Sequence, residues 1–245
     1  MIPIVQEFPS LKHLWVNSGN FPIDIIGGKH AKNFGTGANI GNGTYGRCFS
    51  RTSANYDNTG FYTDSGVITT IGSEFTTFCL FELTTISINE EPLLRLDDNA
   101  TDYSNFCISM SFIPSSRNIR CVINDTGGNG WQTGQFFTYS DSFLTNRLYL
   151  SILRWKTTYP IDTSIKILGE PCSFQHSNYT VPIGTVRADY QLGAQFHIGG
   201  MGYAGSFPFS GYIYVSGLFT KWLNDQESNN LSLYLKDNLD FYTNF

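Results

Sequence analysis

The sequence predicts an all-β fold, a sandwich of two antiparallel sheets followed by one short helix. Between positions 106 and 112, large apolar residues alternate with small ones at period two, as in a strand with one buried face. The run 76–85 carries large apolar residues at both parities, which favours a central strand covered on both sides. Aromatic residues make up 16% of the chain and charged residues only 14%, a composition that suits sheets.

Further strands follow from shorter apolar runs bounded by turn residues. The run 120–123 is predicted to pair with 106–112, and the turn-forming residues 125–130 follow it. One further predicted strand begins at Gly46, and three others cover 135–139, 148–155 and 164–168.

The C-terminal segment predicts two strands. Phe196 and Ile198 alternate with polar residues and stop at a glycine pair, which favours a turn. Between 209 and 219, one parity is apolar, so these side chains are expected on one face: Phe209, Ile213, Val215 and Phe219.

One helix is predicted near 225–236. Asn224 followed by Glu227 matches a capping box, in which each side chain binds the other's backbone N–H. Apolar residues then recur at helical spacing, at Leu231, Leu235, Leu239 and Tyr242.

The N-terminal part gives weaker signals. Residues 1–12 are interpreted as an extended arm or entry strand, and 13–45 as turn-rich. The glycine-rich stretch 35–41 lacks the spacing and the strand–helix context of a dinucleotide site, so we interpret it as a loop.

Length and composition predict a single domain over residues 1–245, long enough to bury its own core. The net charge of −5, with scattered cations, argues against nucleic acid as a partner. Five cysteines occur without Cys-x-x-Cys pairs, which favours free core thiols over zinc. The sequence shows neither a signal peptide nor a run long enough to span a membrane.

The same segments resemble those of concanavalin A-like, laminin-G-like jelly-roll domains. Residues 195–200 match an F-x-I-G-G strand, 209–215 an F-x-G-x-I-x-x-V-like strand, and 224–234 the closing helix, with Asn224 in place of serine. Residues 45–49 and 75–83 are similar to two earlier strands, with Leu80 where tryptophan is usual. The resemblance implies a jelly-roll sandwich over about 14–242.

The patterns expected of glycan-cleaving enzymes on this fold are absent from the sequence. No E-x-D-x-x-E places two carboxylates on one strand face, and adjacent Glu90 and Glu91 would point to opposite faces. The tripeptide 195–197 is similar to the Q-I-H of jelly-roll lyases, but their Y-F-K-A-G-x-Y segment is missing. We therefore interpret His197 as structural and predict a protein that is not an enzyme.

The turn 125–131 supplies the candidate site residues. Asp125 and Asn129 could ligate calcium, although no cofactor is required by the sequence. Trp131 could stack on a sugar ring, with Tyr103 and Tyr139 as weaker aromatic candidates.

By analogy of fold and composition, the chain looks like virion surface proteins of tailed bacteriophages. The expectation is a capsid-decoration or tail-fibre protein that is made in the host cytoplasm and assembled into the virion as a homo-oligomer. Its expected partners are host-surface carbohydrate and other virion structural proteins. Two alternatives stay open: a glycoside hydrolase or polysaccharide lyase on the same sandwich, and an interaction module without sugar affinity.

Overall fold

The computed structural model describes residues 3–34, 38–51, 60–63, 74–86, 91–97, 106–123, 134–138, 141–156, 159–176, 195–199 and 209–244. The strands are β1 Leu11–Ser18, β2 Phe21–Asp24, β3 Ala31–Phe34, β4 Ala38–Gly43, β5 Gly46–Arg51, β6 Gly60–Thr63, β7 Glu74–Leu83, β8 Glu91–Asp97, β9 Phe106–Ile113, β10 Asn118–Ile123, β11 Gly134–Thr138, β12 Leu148–Lys156, β13 Tyr159–Ile167, β14 Gln175–His176, β15 Gln195–Ile198 and β16 Gly211–Phe219. The α-helices in these ranges are α1 Pro3–Glu7, α2 Asp225–Asp237 and α3 Leu239–Thr243, and a 3-10 helix covers Pro114–Ser116.

The strands form two antiparallel sheets, as the sequence predicts. In the described ranges, sheet A has nine strands, with the order β14-β13-β12-β7-β16-β1-β2, and β5 joins β4 to β16. Sheet B has seven, with the order β11-β10-β9-β8-β15-β6-β3. The predicted pairing of the 120–123 run with 106–112 is confirmed in the β9–β10 ladder.

The core between the sheets is aromatic. The ring centroids of Phe81 on sheet A and Phe112 on sheet B are 5.2 Å apart. Trp15 stacks on Phe196 with 4.4 Å between their ring centroids. Fully buried Met110 also crosses the gap, since its sulfur accepts a hydrogen bond from Ser151. Alternate side chains of each strand therefore close the sandwich.

A second apolar cluster, which we call the helix-side cluster, covers the opposite face of sheet A. Leu80 and Ile152 on that face pack in one cluster with Ile4 near the N-terminus and Leu231 and Leu235 of α2. Strand β7 is consequently buried on both faces, which confirms its prediction as a central strand. Its odd-numbered apolar side chains pack into the core between the sheets, and its even-numbered apolar side chains pack against the helices.

Strand β16 differs from the prediction that four apolar side chains share one face. Phe209 and Ile213 belong to the core between the sheets, whereas Val215 and Phe219 belong to the helix-side cluster. The register against β7 shifts between Ile213 and Val215, so Tyr214 is an extra residue in a β-bulge. One inserted residue turns each later side chain of the strand to the opposite face of the sheet.

The N-terminal region is more regular than the sequence indicates. The stretch interpreted as a loop overlaps β4, which forms a hairpin with β5, and the turn-rich region contains β2, β3 and most of β1. Within the predicted arm, α1 forms, and Ile4 and Phe8 are 0% and 5% exposed. Buried apolar anchors hold this segment against sheet A.

The C-terminal helix confirms its capping prediction. The Asn224 side chain accepts a hydrogen bond from the Glu227 N–H at 2.9 Å, and the Glu227 carboxylate accepts from the Asn224 N–H at 2.9 Å. Helix α2 ends at Asp237, and α3 follows after Asn238. Buried Tyr242 continues the apolar face into this second short helix.

Candidate functional site

The two sheets differ in what their outer faces offer to a ligand. Helices α1, α2 and α3 bury the outer face of sheet A. The outer face of sheet B carries no described helix. The helices therefore exclude a ligand surface on the outer face of sheet A.

One register row crosses the outer face of sheet B. Lys32 pairs with Tyr62, Tyr62 with His197, His197 with Arg95, and Arg95 with Ser109. Directly opposed residues project to the same face of a sheet. Adjacent strands are about 4.8 Å apart, so the row spans about 19 Å.

Exposure falls along this row from the edge to the centre. Lys32 on edge strand β3 is exposed and Tyr62 is half-buried, whereas His197 and Arg95 are 1% and 2% exposed. The Tyr62 and His197 rings stack at 6.0 Å with 26° between their planes. The accessible part of the row is thus its β3–β6 end.

His197 is neutral at physiological pH. Burial and, to a smaller extent, the positive charge of Arg95 together lower the pKa of its imidazole to about 3. A neutral imidazole beside a buried guanidinium packs and stacks without adding a second buried charge. This agrees with the interpretation of His197 as structural.

Next to the exposed end of the row, Asp24 fixes the loop between β2 and β3. Its carboxylate accepts hydrogen bonds from the backbone N–H groups of Leu14, Ile26, Gly27 and Lys29 at 2.9–3.2 Å. A fifth contact, of 2.7 Å, joins it to His13 Nδ1.

The Asp24 carboxylate stays ionised at pH values below the range in which an aspartate side chain usually takes up a proton. Burial alone would raise the pKa of this carboxyl, but the His13 hydrogen bond and the backbone donors outweigh it and lower the pKa. The Trp15 indole N–H donates to the Lys29 carbonyl at 2.8 Å, which adds a second anchor. The loop therefore runs from sheet A to sheet B in one held conformation.

This loop and the start of β3 present a group of exposed basic side chains. Lys29, His30 and Lys32 are all exposed, and we call them the basic edge. Asp24 N–H donates to His30 Nδ1 at 3.2 Å, so the neutral ring carries its proton on Nε2. The basic edge adjoins Tyr62 directly, because Lys32 is its cross-strand partner.

A second polar cluster lies between sheet A and α2. The guanidinium of Arg154, 1% exposed, donates to Asp162 at 2.8 Å, to Asp225 at 2.7 Å and to the Leu223 carbonyl at 2.9 Å. Asp162 also contacts His176 Nδ1, whose side chain is 54% exposed. The Arg154 guanidinium lies 3.2 Å from the centroid of the Phe174 ring and 4.2 Å from that of Trp222.

A third cluster is buried under the β4–β5 hairpin. The Glu82 carboxylate accepts from Tyr214 at 2.6 Å and from Thr44 at 2.7 Å. Burial and the Glu82 hydrogen bond raise the pKa of Tyr214 above its ordinary value. Burial, followed by the charge of Glu82, raises the pKa of the Cys48 thiol to about 12. The second and third clusters both join secondary structure elements, with their central groups inaccessible to a large substrate.

The sequence-predicted site residues fall outside the described residues. These are Tyr103, Trp131, Tyr139, Asp125 and Asn129. Within the described ranges, no group of three or more metal-ligating side chains comes together. Calcium binding at 125–129 stays a prediction. The thiols of Cys48, Cys79 and Cys172 are free.

Sequence reasoning missed the basic edge, although a signal was present. Three of the chain's Lys, Arg and His residues occur within four positions, 29–32, in a chain with only 15 Lys and Arg and 4 His. Treating the cations as scattered concealed this concentration. The proximity of Tyr62, 30 residues later, could not be read from spacing because it depends on the β3–β6 pairing.

The sandwich is similar to solved structures of two kinds. The binding domain of botulinum neurotoxin serotype D matches with a TM-score of 0.62 at 15% identity, over 91% of this chain and 50% of that chain. The receptor-binding domain of the botulinum neurotoxin C/D mosaic serotype matches with 0.61 at 14% identity, over 91% and 51%. A mutant of Trypanosoma rangeli sialidase with trans-sialidase activity matches with 0.61 at 17% identity, over 94% and 33%.

These likenesses establish the fold and leave activity open. The chain spans about half the length of the neurotoxin domains and a third of the sialidase. No protein-family description and no curated protein sequence matches it. Among the described residues, no helix has the length and apolar character to cross a membrane.

Proposed function

We propose that this chain is a glycan-binding β-sandwich without catalytic activity, and that the sugar contacts Tyr62 and the basic edge. The observation that carries the proposal is the exposed end of the sheet B row, where a half-buried tyrosine lies beside exposed hydrogen-bond donors. A tyrosine ring offers an apolar face to sugar C–H groups, and donors beside it orient the hydroxyls.

The structural neighbours support this proposal. Solved structures named as toxin binding domains and sialidases share the sandwich, and one sialidase was solved in complex with sialic acid. Because fold does not determine function, these similarities count only together with the surface described above.

The finer proposal is a virion surface role. Its support is the analogy of composition and fold with phage decoration and fibre proteins, with a homo-oligomer docked to another virion protein. Co-purification of the chain with capsids or tails would support this role, whereas a monomer absent from purified virions would contradict it.

Glycan binding is testable on an array followed by calorimetry. We expect Tyr62→Ala to weaken binding of the best array ligand about tenfold, because the stacking surface is lost. Phe241→Ala is the matched control: this aromatic is 49% exposed, but it lies on α3 at the opposite side of sheet A. A blank array, or equal losses in both variants, would reject the proposed site.

The enzymatic alternative requires a separate assay. Incubation with a polysaccharide panel should release neither reducing ends nor unsaturated products at rates above buffer. Turnover that disappears in Glu82→Gln or His176→Gln would replace the binding proposal with a catalytic one, because these residues belong to the two buried acid-containing clusters.

A further inference from the structure

The basic edge is a local concentration of positive charge on an acidic protein. The chain carries a net charge of −5, yet Lys29, His30 and Lys32 lie within four positions and all are exposed. Lys29 and Lys32 are three residues apart, so their Cα atoms are at most about 11 Å from each other. One anionic group can interact with both ammonium groups at this separation.

The cations are held in place by buried chemistry. The Lys29 N–H donates to the Asp24 carboxylate at 2.9 Å, and the Lys29 carbonyl accepts from Trp15 at 2.8 Å. The main chain on both sides of the Lys29 side chain is thereby fixed. Lys32 is fixed by the β3–β6 ladder, which pairs it with Tyr62. A preorganised backbone reduces the entropy that binding must overcome.

His30 adds a neutral donor rather than a third fixed cation. Its Nδ1 accepts the Asp24 N–H, which assigns the proton of the neutral ring to Nε2. The edge therefore combines two ammonium groups, one imidazole N–H donor and the half-buried ring of Tyr62. A sugar that carries an acidic group matches this set better than a neutral sugar does.

We propose that the glycan ligand is acidic, bearing a carboxylate or a sulfate that pairs with Lys29 and Lys32 while a sugar ring packs on Tyr62. This proposal rests on the proposed glycan-binding function and specifies its substrate class. Carboxylate and sulfate share the chemistry recognised, and the experiment below distinguishes them.

The test compares matched neutral and acidic ligands. The probes are lactose, 3′-sialyllactose and 3′-sulfolactose, measured by calorimetry with the full chain. We expect at least one acidic ligand to bind about tenfold more tightly than lactose, and its affinity to fall between about 0.05 M and 0.5 M NaCl as the Debye length shortens. A higher affinity for one of the two acidic ligands identifies whether the recognised group is a carboxylate or a sulfate.

Charge reversal locates the effect. Lys29→Glu/Lys32→Glu should reduce the affinity for the acidic ligand about tenfold or more and leave lactose binding within about twofold. Arg147→Glu/Lys236→Glu makes the same change in net charge at two exposed positions beside β12 and β13, at the opposite end of sheet A from β2, and should leave both affinities unchanged.

The outcomes separate the two proposals. Equal binding of lactose and both acidic sugars, unaffected by the edge reversal, overturns the acidic-ligand inference and leaves glycan binding intact. Absence of binding to any array glycan overturns both. Equal losses in the two reversal variants show that net charge, and not the basic edge, attracts the ligand, which also overturns the inference.

Discussion

At the scale of single residues, buried polar groups in this protein are held in one protonation state by their surroundings. Asp24 is kept charged by four backbone donors and His13, whereas His197 is kept neutral by burial beside Arg95. In both cases the protonation state depends on two opposing effects. Burial disfavours the charged form, and local hydrogen bonds or charges either outweigh that cost, as at Asp24, or add to it, as at His197. Each makes stability depend on pH.

His197 should destabilise the fold as the pH falls below 6.5. The pKa of this group is lowered in the folded state, so the unfolded chain binds the proton first, and stability is lost between pH 6.5 and about 3. Between pH 7 and pH 5 the loss from this residue is about 2 kcal/mol.

Urea unfolding at both pH values measures that loss. His197→Gln cannot take up the proton, so its free energy of unfolding should fall less between pH 7 and pH 5 than that of the wild type. Ser109→Ala is the control, because this buried residue of the same row carries no titratable group and its loss should leave the pH dependence unchanged. An unchanged slope in His197→Gln would show that the imidazole is accessible to water.

At the scale of elements, a buried cation joins α2 to sheet A. Arg154 on β12 contacts Asp162 on β13 and Asp225 at the first position of α2, and it lies between two aromatic rings. Its two carboxylate partners differ greatly in burial, since the Asp162 side chain is 0% exposed and that of Asp225 is 73% exposed. The same guanidinium therefore makes one buried and one solvated ion pair, and removal of a partner is costly only in the buried one.

Removing both ion pairs in one variant and only the exposed pair in another should separate these contributions. Arg154→Met leaves the Asp162 carboxylate buried without its guanidinium and should lower the free energy of unfolding by about 3–5 kcal/mol. Asp225→Asn should cost less than about 1 kcal/mol, because its ion pair is solvated. Chemical denaturation at pH 7 measures both. Similar costs for the two variants would mean that the Asp162 pair is hydrated.

The sequence predicts regular elements better than the points where they deviate. Alternation locates β9, and double-sided hydrophobicity identifies β7 as central, because side-chain period follows directly from backbone geometry. The bulge at Tyr214 leaves no such trace, so Val215 and Phe219 are assigned to the wrong face. The basic edge likewise depends on a long-range ladder, whereas its local charge concentration is visible in the sequence.

At the scale of the whole molecule, sheet A separates two cores that share one set of strands. The aromatic core faces sheet B, and the helix-side cluster contains residues from α1, α2 and α3. Phe81 and Leu80 are neighbours on β7 but belong to different cores. Loss of either core should therefore displace the strand on which the other depends.

This coupling predicts that the chain unfolds as one cooperative unit, which would be the behaviour of a single domain. Leu235→Ala creates a cavity in the helix-side cluster, where Leu235 is 0% exposed, and should cost about 2–5 kcal/mol. The midpoint of denaturant unfolding should shift equally for tryptophan fluorescence, to which Trp15 and Trp155 of the aromatic core contribute, and for far-UV circular dichroism. Two separated transitions, with only one shifted by Leu235→Ala, would instead show that the helices and the sandwich unfold independently.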